Sequence, residues 1–501
     1  MRFKIFLLAL ALCMLSLWIA CTPQVGPAGP IGAALTANLP IAGTSGRGAA
    51  IPATHTASGT GAVARTVTAK LGDSISVLDY GASGSTATTT TVGSTPSGSS
   101  TLVLANGSSF SAGEGIRIPG AGLGGTNYIG TVTSITGNLA TVFPATSTAV
   151  PNGTAVSHDD TASLQAARNA AVAANAPLVL SPGVFPVTNL NFSSHDHTRV
   201  IGSVGELTEI LCTSATPNTG VCIDESGAND TSWEHIWLQG GTSALDAPQV
   251  VYLGGKTSVP SSNGSGHTFT DVRFSSFGSF AYYGNGAEST HFIDCVYTVP
   301  GYTGTANLSP VVLSSANSFG IKSAFTTLAT PPGSETKIVF DAPTFTLGAP
   351  IIFDDDYYPS TFGQISFRDP YFNGCSAFGP AIVDTQSTWI GMVLGNLHFD
   401  NVFLEWCPTG AEYPFLSMPH TDIQHSHFDI TSSPRAGLLP ASILTAQDWA
   451  VNEFEINTYG VALPMLVGCT GTASVANRAW GVTGIQNPSM YCAYGFHFPD
   501  L

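Results

Sequence analysis

Short runs of alternating apolar and polar residues, broken by Gly, Asn and Pro, recur along most of the chain. The first is Ile75-Ser76-Val77-Leu78-Asp79-Tyr80, which predicts a strand ending in the turn Gly81-Ala82-Ser83-Gly84. Runs at 101–104, 115–119, 128–135 and 139–143 predict a small antiparallel β subdomain, with a hairpin turn around Gly137-Asn138. One stretch departs from this pattern. His158-Asp159-Asp160 leads into an alanine-rich run, which predicts a helix over Thr161–Ala174. Asp159 or Asp160 would accept from the free amides of its first turn.

Beyond Leu178-Val179-Leu180 one small pattern repeats. A polar residue is followed two or three positions on by an apolar or aromatic one. Examples are Trp233-Glu234-His235-Ile236, Thr270-Asp271-Val272-Arg273-Phe274, Ile293-Asp294-Cys295-Val296-Tyr297 and Phe340-Asp341-Ala342-Pro343-Thr344-Phe345. Others are Phe367-Arg368-Asp369-Pro370-Tyr371-Phe372, Phe399-Asp400-Asn401-Val402-Phe403-Leu404, Phe428-Asp429-Ile430 and Phe454-Glu455-Ile456. Neighbouring segments lie roughly 23 to 36 residues apart, with one gap near twice the smaller value. Strand-only repeats of that size predict a β-solenoid, in which no coil can bury its inward residues until its neighbours stack on it. Variable spacing is what loops of different length at the coil corners produce.

The stretches Val77-Leu78-Asp79-Tyr80-Gly81-Ala82-Ser83-Gly84 and His158-Asp159-Asp160-Thr161-Ala162-Ser163-Leu164-Gln165-Ala166-Ala167 together resemble the opening motif of the pectate-lyase-like β-helix superfamily. There the motif is continuous; here it is split by residues 85–157. Leu178-Val179-Leu180-Ser181-Pro182-Gly183-Val184-Phe185 resembles that superfamily's first coil. The resemblance implies an all-β chain folded as a right-handed parallel β-helix, with one N-terminal capping helix and a small inserted antiparallel β subdomain. Its members include pectate lyases, polygalacturonases, glucanases and phage tailspike depolymerases. A polysaccharide partner is therefore implied, and a homotrimer of the tailspike kind is allowed, although no coiled-coil heptad is present to enforce one.

The expected organisation is a signal peptide at 1–21, a tether at 22–70, the first β-helix strand at 71–84 and the insert at 85–157. Helix and coils follow at 158–460, with a C-terminal cap at 461–501. Arg2 and Lys4 precede the apolar stretch from Ile5 to Ile19, the layout of a secretory signal. Trp18-Ile19-Ala20-Cys21 resembles a bacterial lipobox, with tryptophan where leucine is usual, and implies lipidation at Cys21 and a membrane anchor. Secretion or an outer-membrane, cell-surface location follows. The tether is rich in Ala, Gly, Thr and Pro and lacks the periodicity of a packed element.

Composition narrows the chemistry. The net charge is −17 with only 15 Lys and Arg, and no basic run follows Lys4, which excludes a nucleic-acid partner. Export permits disulfides, and among the seven cysteines beyond Cys21 the pairs Cys212/Cys222 and Cys469/Cys492 are closest in sequence. No C-x-x-C spacing suggests a metal site.

Two sites stand out for a glycosidase using paired carboxylates. Asp354-Asp355-Asp356 is a rare acidic run in a chain with 9% charged residues, and Tyr357 and Tyr358 could stack on sugar rings. Adjacent carboxylates raise one another's pKa, which makes one a usable acid. Glu405-Trp406 falls about two coils later. Two rungs span about 10 Å, near the separation two glycosidic carboxyls need if both share a face. His398 could contact sugar, as could His425 and His427. Arg273 and Arg368 are the coil residues that a lyase could use. No cofactor is required, and calcium is the cation that the oxygens of the aspartate run would suit. A non-catalytic glycan-binding surface β-helix is the alternative to an enzyme.

Overall fold

The computed structural model describes residues 72–205, 207–214, 219–242, 246–255, 264–276, 280–285 and 289–298. Beyond these it describes the strands from 311–314 to 496–497, with the turn residues 342–343, 369–370 and 426, and ahead of them the short strands at 54–55 and 65–66. The signal peptide, Cys21, most of the tether and Cys492 lie outside the described residues.

The coils form a parallel β-helix, as the opening motif implies. Three stacks of strands run along it, each pairing in parallel with the next coil. The first stack passes through Leu178, Val200, Trp233, Phe269, Phe292, Phe340, Phe367, Phe399, Phe428 and Phe454 at register-matched positions. The second passes through Ile210, Leu238, Phe274, Tyr297, Phe345, Phe372 and Leu404. The third runs from Leu190–Asn191 through Val221–Asp224, Val250–Gly255 and Phe280–Asn285 to Ile351–Asp354 and beyond. The gap of double length does not skip a coil. Phe292 pairs directly with Phe340, so the extra residues fall within a single turn of the solenoid.

The core explains why the repeat carries aromatics. Phe292, Phe340, Phe367 and Phe399 stack face to face with centroids 4.7 Å apart and planes within 8°. In the second stack Tyr297–Phe345 and Phe345–Phe372 repeat this at 4.7 and 4.8 Å. These distances match the roughly 4.8 Å between hydrogen-bonded strands, so in-register rings stack without distorting the ladder. The rings are fully or almost fully buried. Cys295 is buried among them, and burial pushes its thiol pKa up to about 12.

The helix Thr161–Ala174 buries Leu164, Ala167 and Ala171 into the same core as Val77, Leu178 and Phe185. Asn175 ends it in a left-handed conformation, donating its amide to Val172 O. Strands between 88 and 158 form a six-stranded antiparallel sheet, separate from the coils, around Leu102, Ile116, Val132, Val142 and Val156. The hairpin turns between Tyr128–Thr136 and Leu139–Phe143, where the sequence places it. Cys212–Cys222 is a disulfide, which joins the second stack to the third.

Candidate functional site

The split opening motif is rejoined in space. Ser83 donates its amide to Asp160 Oδ1 at 3.0 Å, while its hydroxyl lies 2.6 Å from His158 Nε2. His158 Nε2 is also 2.9 Å from Asp160 Oδ1. The seryl, histidyl and aspartyl groups suggest nucleophilic catalysis, but His158 and Asp160 are completely buried and both partners meet the same ring nitrogen. A triad needs the carboxylate on the other nitrogen and an accessible hydroxyl. Asp159 performs the expected capping, since its Oδ1 accepts from Thr161 N at 3.0 Å. Asp160 holds the N-cap position without a side-chain cap bond and turns its carboxylate to the two loop ends instead. Burial raises the pKa of Asp159, opposed by its bonds from Thr161 and Thr188 and by Arg117. Arg117 of the insert reaches Thr213 of the coils and Ser157.

A second internal cluster is also closed to solvent. Glu225 accepts from Trp233 Nε1 at 3.1 Å and from Thr231 Oγ1 at 2.9 Å, with His267 Nδ1 at 3.3 Å. All four residues are buried, so no substrate reaches them.

The open candidate lies on the outside, where each coil turns from the first stack to the second. One residue per coil there is left-handed: His235, Asp271, Asp294, Ala342, Asp369 and Asn401, with φ between 48° and 57°. Asp and Asn tolerate this conformation better than other non-glycine residues. Coil by coil the ladder is tied together. Asp294 N bonds Asp341 O, Ala342 N bonds Arg368 O and Asp369 N bonds Asp400 O. His235 Nδ1 lies 2.8 Å from Asp271 Oδ2, and Asn401 Nδ2 donates to Asp369 Oδ1 at 2.6 Å.

Beside this corner the outward column of the second stack reads Glu209, Trp237, Arg273, Val296, Thr344, Tyr371 and Phe403. The Arg273 guanidinium lies 4.5 Å from the Trp237 ring centre. Trp237 is fixed by Nε1 donating to Ser275 Oγ. Burial raises the pKa of Glu209, and the charge of Arg273 opposes that. On the other side, the Tyr371 and Phe403 rings lie 5.5 Å apart, and Phe403 is 40% exposed. Small residues, Val296, Thr344 and the exposed corner residue Ala342, separate the two bulky pairs. We call this low stretch of the column, between Trp237–Arg273 and Tyr371–Phe403, the notch. Asp294 and Asp369 stand on the coils either side of Ala342, with backbones two rungs or about 10 Å apart. Both are exposed. Asp400 follows on the next coil, with its Oδ1 4.0 Å from His427 Nε2.

The residues singled out from sequence are distributed as follows. Asp354 ends a strand of the third stack, paired with Ser314. Glu405 stands in the second stack, between Asn373 and Ser433. Asp354 and Glu405 are two coils apart, as the spacing indicates, but in different stacks. Asp355, Asp356, Tyr357, Tyr358 and His425 lie outside the described residues. His398 and Glu405 share the long strand Met392–Trp406, which rounds the corner carrying Asp400, Asn401 and Phe403 between them. His398 pairs with His427 on the next coil. Trp406 ends that strand. Arg368 is on the corner, in register with Asp341 and Asp400.

Asp294, Asp369, Asp400, Trp237, Tyr371 and Phe403 did not stand out in the sequence as site residues. A signal was present: the ladder aromatic recurs two residues before the corner, as in Phe269-Thr270-Asp271, Phe292-Ile293-Asp294 and Phe367-Arg368-Asp369. Among the described residues no group of three or more His, Cys, Asp or Glu is arranged to hold a metal ion.

No protein-family model matches the chain, and no curated protein does. Solved structures match at low identity. Geobacillus virus E2 ORF18 is 13% identical over 68% of this chain, with a TM-score of 0.37, and the match spans 58% of that protein's length. The Streptococcus pneumoniae surface protein and adhesin PfbA is 11% identical over 68% of this chain and 95% of its own, with a TM-score of 0.39. The catalytic domain of a GH87 α-1,3-glucanase, solved with nigerose, is 11% identical over 84% of this chain and 100% of its own, with a TM-score of 0.32.

Proposed function

We propose that this protein acts on a polysaccharide as an exported glycoside hydrolase using paired carboxylates. One observation carries the reading: the notch at Ala342, flanked by Asp294 and Asp369 and bounded by the Trp237–Arg273 stack at one end and the Tyr371–Phe403 ring pair at the other. Glycoside hydrolysis needs one carboxyl to protonate the leaving oxygen and another to activate water or attack the sugar. Backbones two rungs or about 10 Å apart are compatible with the carboxyl separation of about 6.5–9.5 Å that leaves room for a water and inverts the anomeric centre, once Asp369 turns from Asn401 towards Asp294. Tyr371 and Phe403 offer ring surface to the C–H face of a sugar, and Asn401 orients Asp369. Asp400 and His427 extend the polar rim towards His398.

The charges favour hydrolysis over β-elimination by a lyase. The base expected of a lyase is Arg or Lys, and Arg273 is engaged with Trp237 and Glu209. The buried Cys212–Cys222 disulfide suits an oxidising compartment and so supports export. Lipidation at Cys21 would hold the enzyme at the cell surface.

The test is reducing-end release from a panel of neutral glucans, galactomannan and xylan. Activity on at least one, lost in Asp369→Asn and Asp294→Asn but kept in Asp79→Asn, supports the proposal. Binding without release in the unaltered protein points to the non-catalytic reading.

A further inference from the structure

A cavity of about 240 Å³ opens beside the end of the helix Thr161–Ala174, away from the notch. Ala171, Val172, Ala176 and Pro177 form one apolar side, and Asn175, Asp196, His197 and Arg199 bring polar groups to the other. Its volume is just below the range of about 300–1,000 Å³ that suits drug-sized ligands, so it takes one ring with its substituents.

The polar groups are held from outside the cavity. Asp196 Oδ1 accepts from Asn229 N at 2.9 Å and from Asn229 Nδ2 at 3.0 Å. Arg199 uses Nε and Nη2 on Glu234, at 3.0 and 3.3 Å. His197 is left-handed with φ 59°, and its amide bonds Asn229 O at 2.8 Å. Its Nδ1 faces Asp230 at 3.7 Å. These contacts leave Asp196 Oδ2, Arg199 Nη1, His197 Nε2 and the Asn175 side-chain amide without an assigned partner.

That set mixes acceptors and donors around an apolar wall. An anion would meet Asp196, and a cation would meet Arg199. A polyol, whose hydroxyls both donate and accept, satisfies both over one apolar face. We infer that this cavity is a second carbohydrate site, taking a single uncharged pyranose. It rests on the cavity alone and not on catalysis at the notch. Arg199 is in register, three rungs or about 14 Å along the axis, with His291, which lies on the same coil as Asp294 of the notch. A polymer engaging both sites would gain from the linkage.

Saturation-transfer NMR and calorimetry on the full chain test this with methyl α-glucoside, methyl β-galactoside and methyl α-mannoside, against glucuronate and glycine. At least one neutral hexoside should bind at millimolar concentration. Ala176→Trp fills the cavity and should weaken that binding by about tenfold or more. His197→Asn keeps the left-handed backbone and should weaken it by a smaller factor. Asp79→Asn, at an exposed position that belongs to neither site, should leave it unchanged. Thermal melts of each variant separate lost binding from lost folding. Absence of hexoside binding, binding that survives Ala176→Trp in a folded protein, or preference for glycine or glucuronate would overturn the inference. Hexoside binding in a protein that degrades no glycan would remove the proposed hydrolysis and leave this site standing.

Discussion

Ser83 and Asp160 are 77 residues apart in sequence, and the amide of one donates to the carboxylate of the other at 3.0 Å. The whole antiparallel insert is spliced between them. The bond restores the continuity of a motif that the insertion divides, with His158 completing it. An insert placed at a loop needs only that its two ends lie close together, and this pair holds them there.

Removing that carboxylate should be costly. Asp160 is fully buried, and its loss strands the part-buried Ser83 amide and removes the carboxylate from His158 Nε2. Asp160→Ala should cost about 1–3 kcal/mol in urea denaturation. Asp79→Ala, at an exposed position of the same motif, should change stability by no more than about 0.5 kcal/mol.

Asp159 gives a pH dependence of defined sign. Burial raises its folded pKa above the unfolded value of 3.8. The folded state therefore binds the proton more tightly. This group's contribution is most favourable below the unfolded pKa and is lost as pH rises through the folded one. Asp159→Asn keeps an acceptor for Thr161 N and cannot ionise. Thermal melts from pH 4 upward should fall less steeply for Asp159→Asn than for the unaltered protein, and a parallel decline in both would contradict the assignment.

The aromatic ladder separates core from surface within one strand pair. Phe367 is stacked between Phe340 and Phe399 and fully buried, so Phe367→Ala should cost about 3–5 kcal/mol. Phe403 is in the outward column, and Phe403→Ala should cost no more than about 0.5 kcal/mol while weakening glycan binding. Denaturant midpoints and affinity electrophoresis read the two effects separately.

Cys212–Cys222 closes a short loop, with a sequence separation of 10. In the chain-entropy view such a loop contributes about 2–3 kcal/mol. A Cys212→Ser, Cys222→Ser double variant should lose that amount, and the unaltered protein should lose it on reduction.

The solenoid was legible because its physics is local. Every coil must present an inward apolar residue at a matching position, so Phe292, Phe340, Phe367 and Phe399 repeat visibly along the chain. The helix was legible for the same reason, since its caps and alanines are contiguous. The site was not. Which stack a residue joins depends on loop lengths that the spacing averages away, so Asp354 and Glu405 count as two coils apart yet belong to different stacks. The corner position was written in the sequence as a polar residue two after the ladder aromatic. Its meaning depends on a left-handed backbone that no residue count shows. The exchange of Asp160 from helix cap to loop clasp was equally hidden, because Ser83 is distant in sequence.

The most direct test of the account is product analysis with Asp294→Asn and Asp369→Asn. On a neutral polysaccharide cleaved by the unaltered protein, each variant should bind the polymer as before and release reducing ends at least about a hundredfold more slowly. The anomer first released should be inverted if the two carboxyls stand as far apart as their rungs. Full activity in both variants, with melting curves unchanged, would contradict the notch as the catalytic centre.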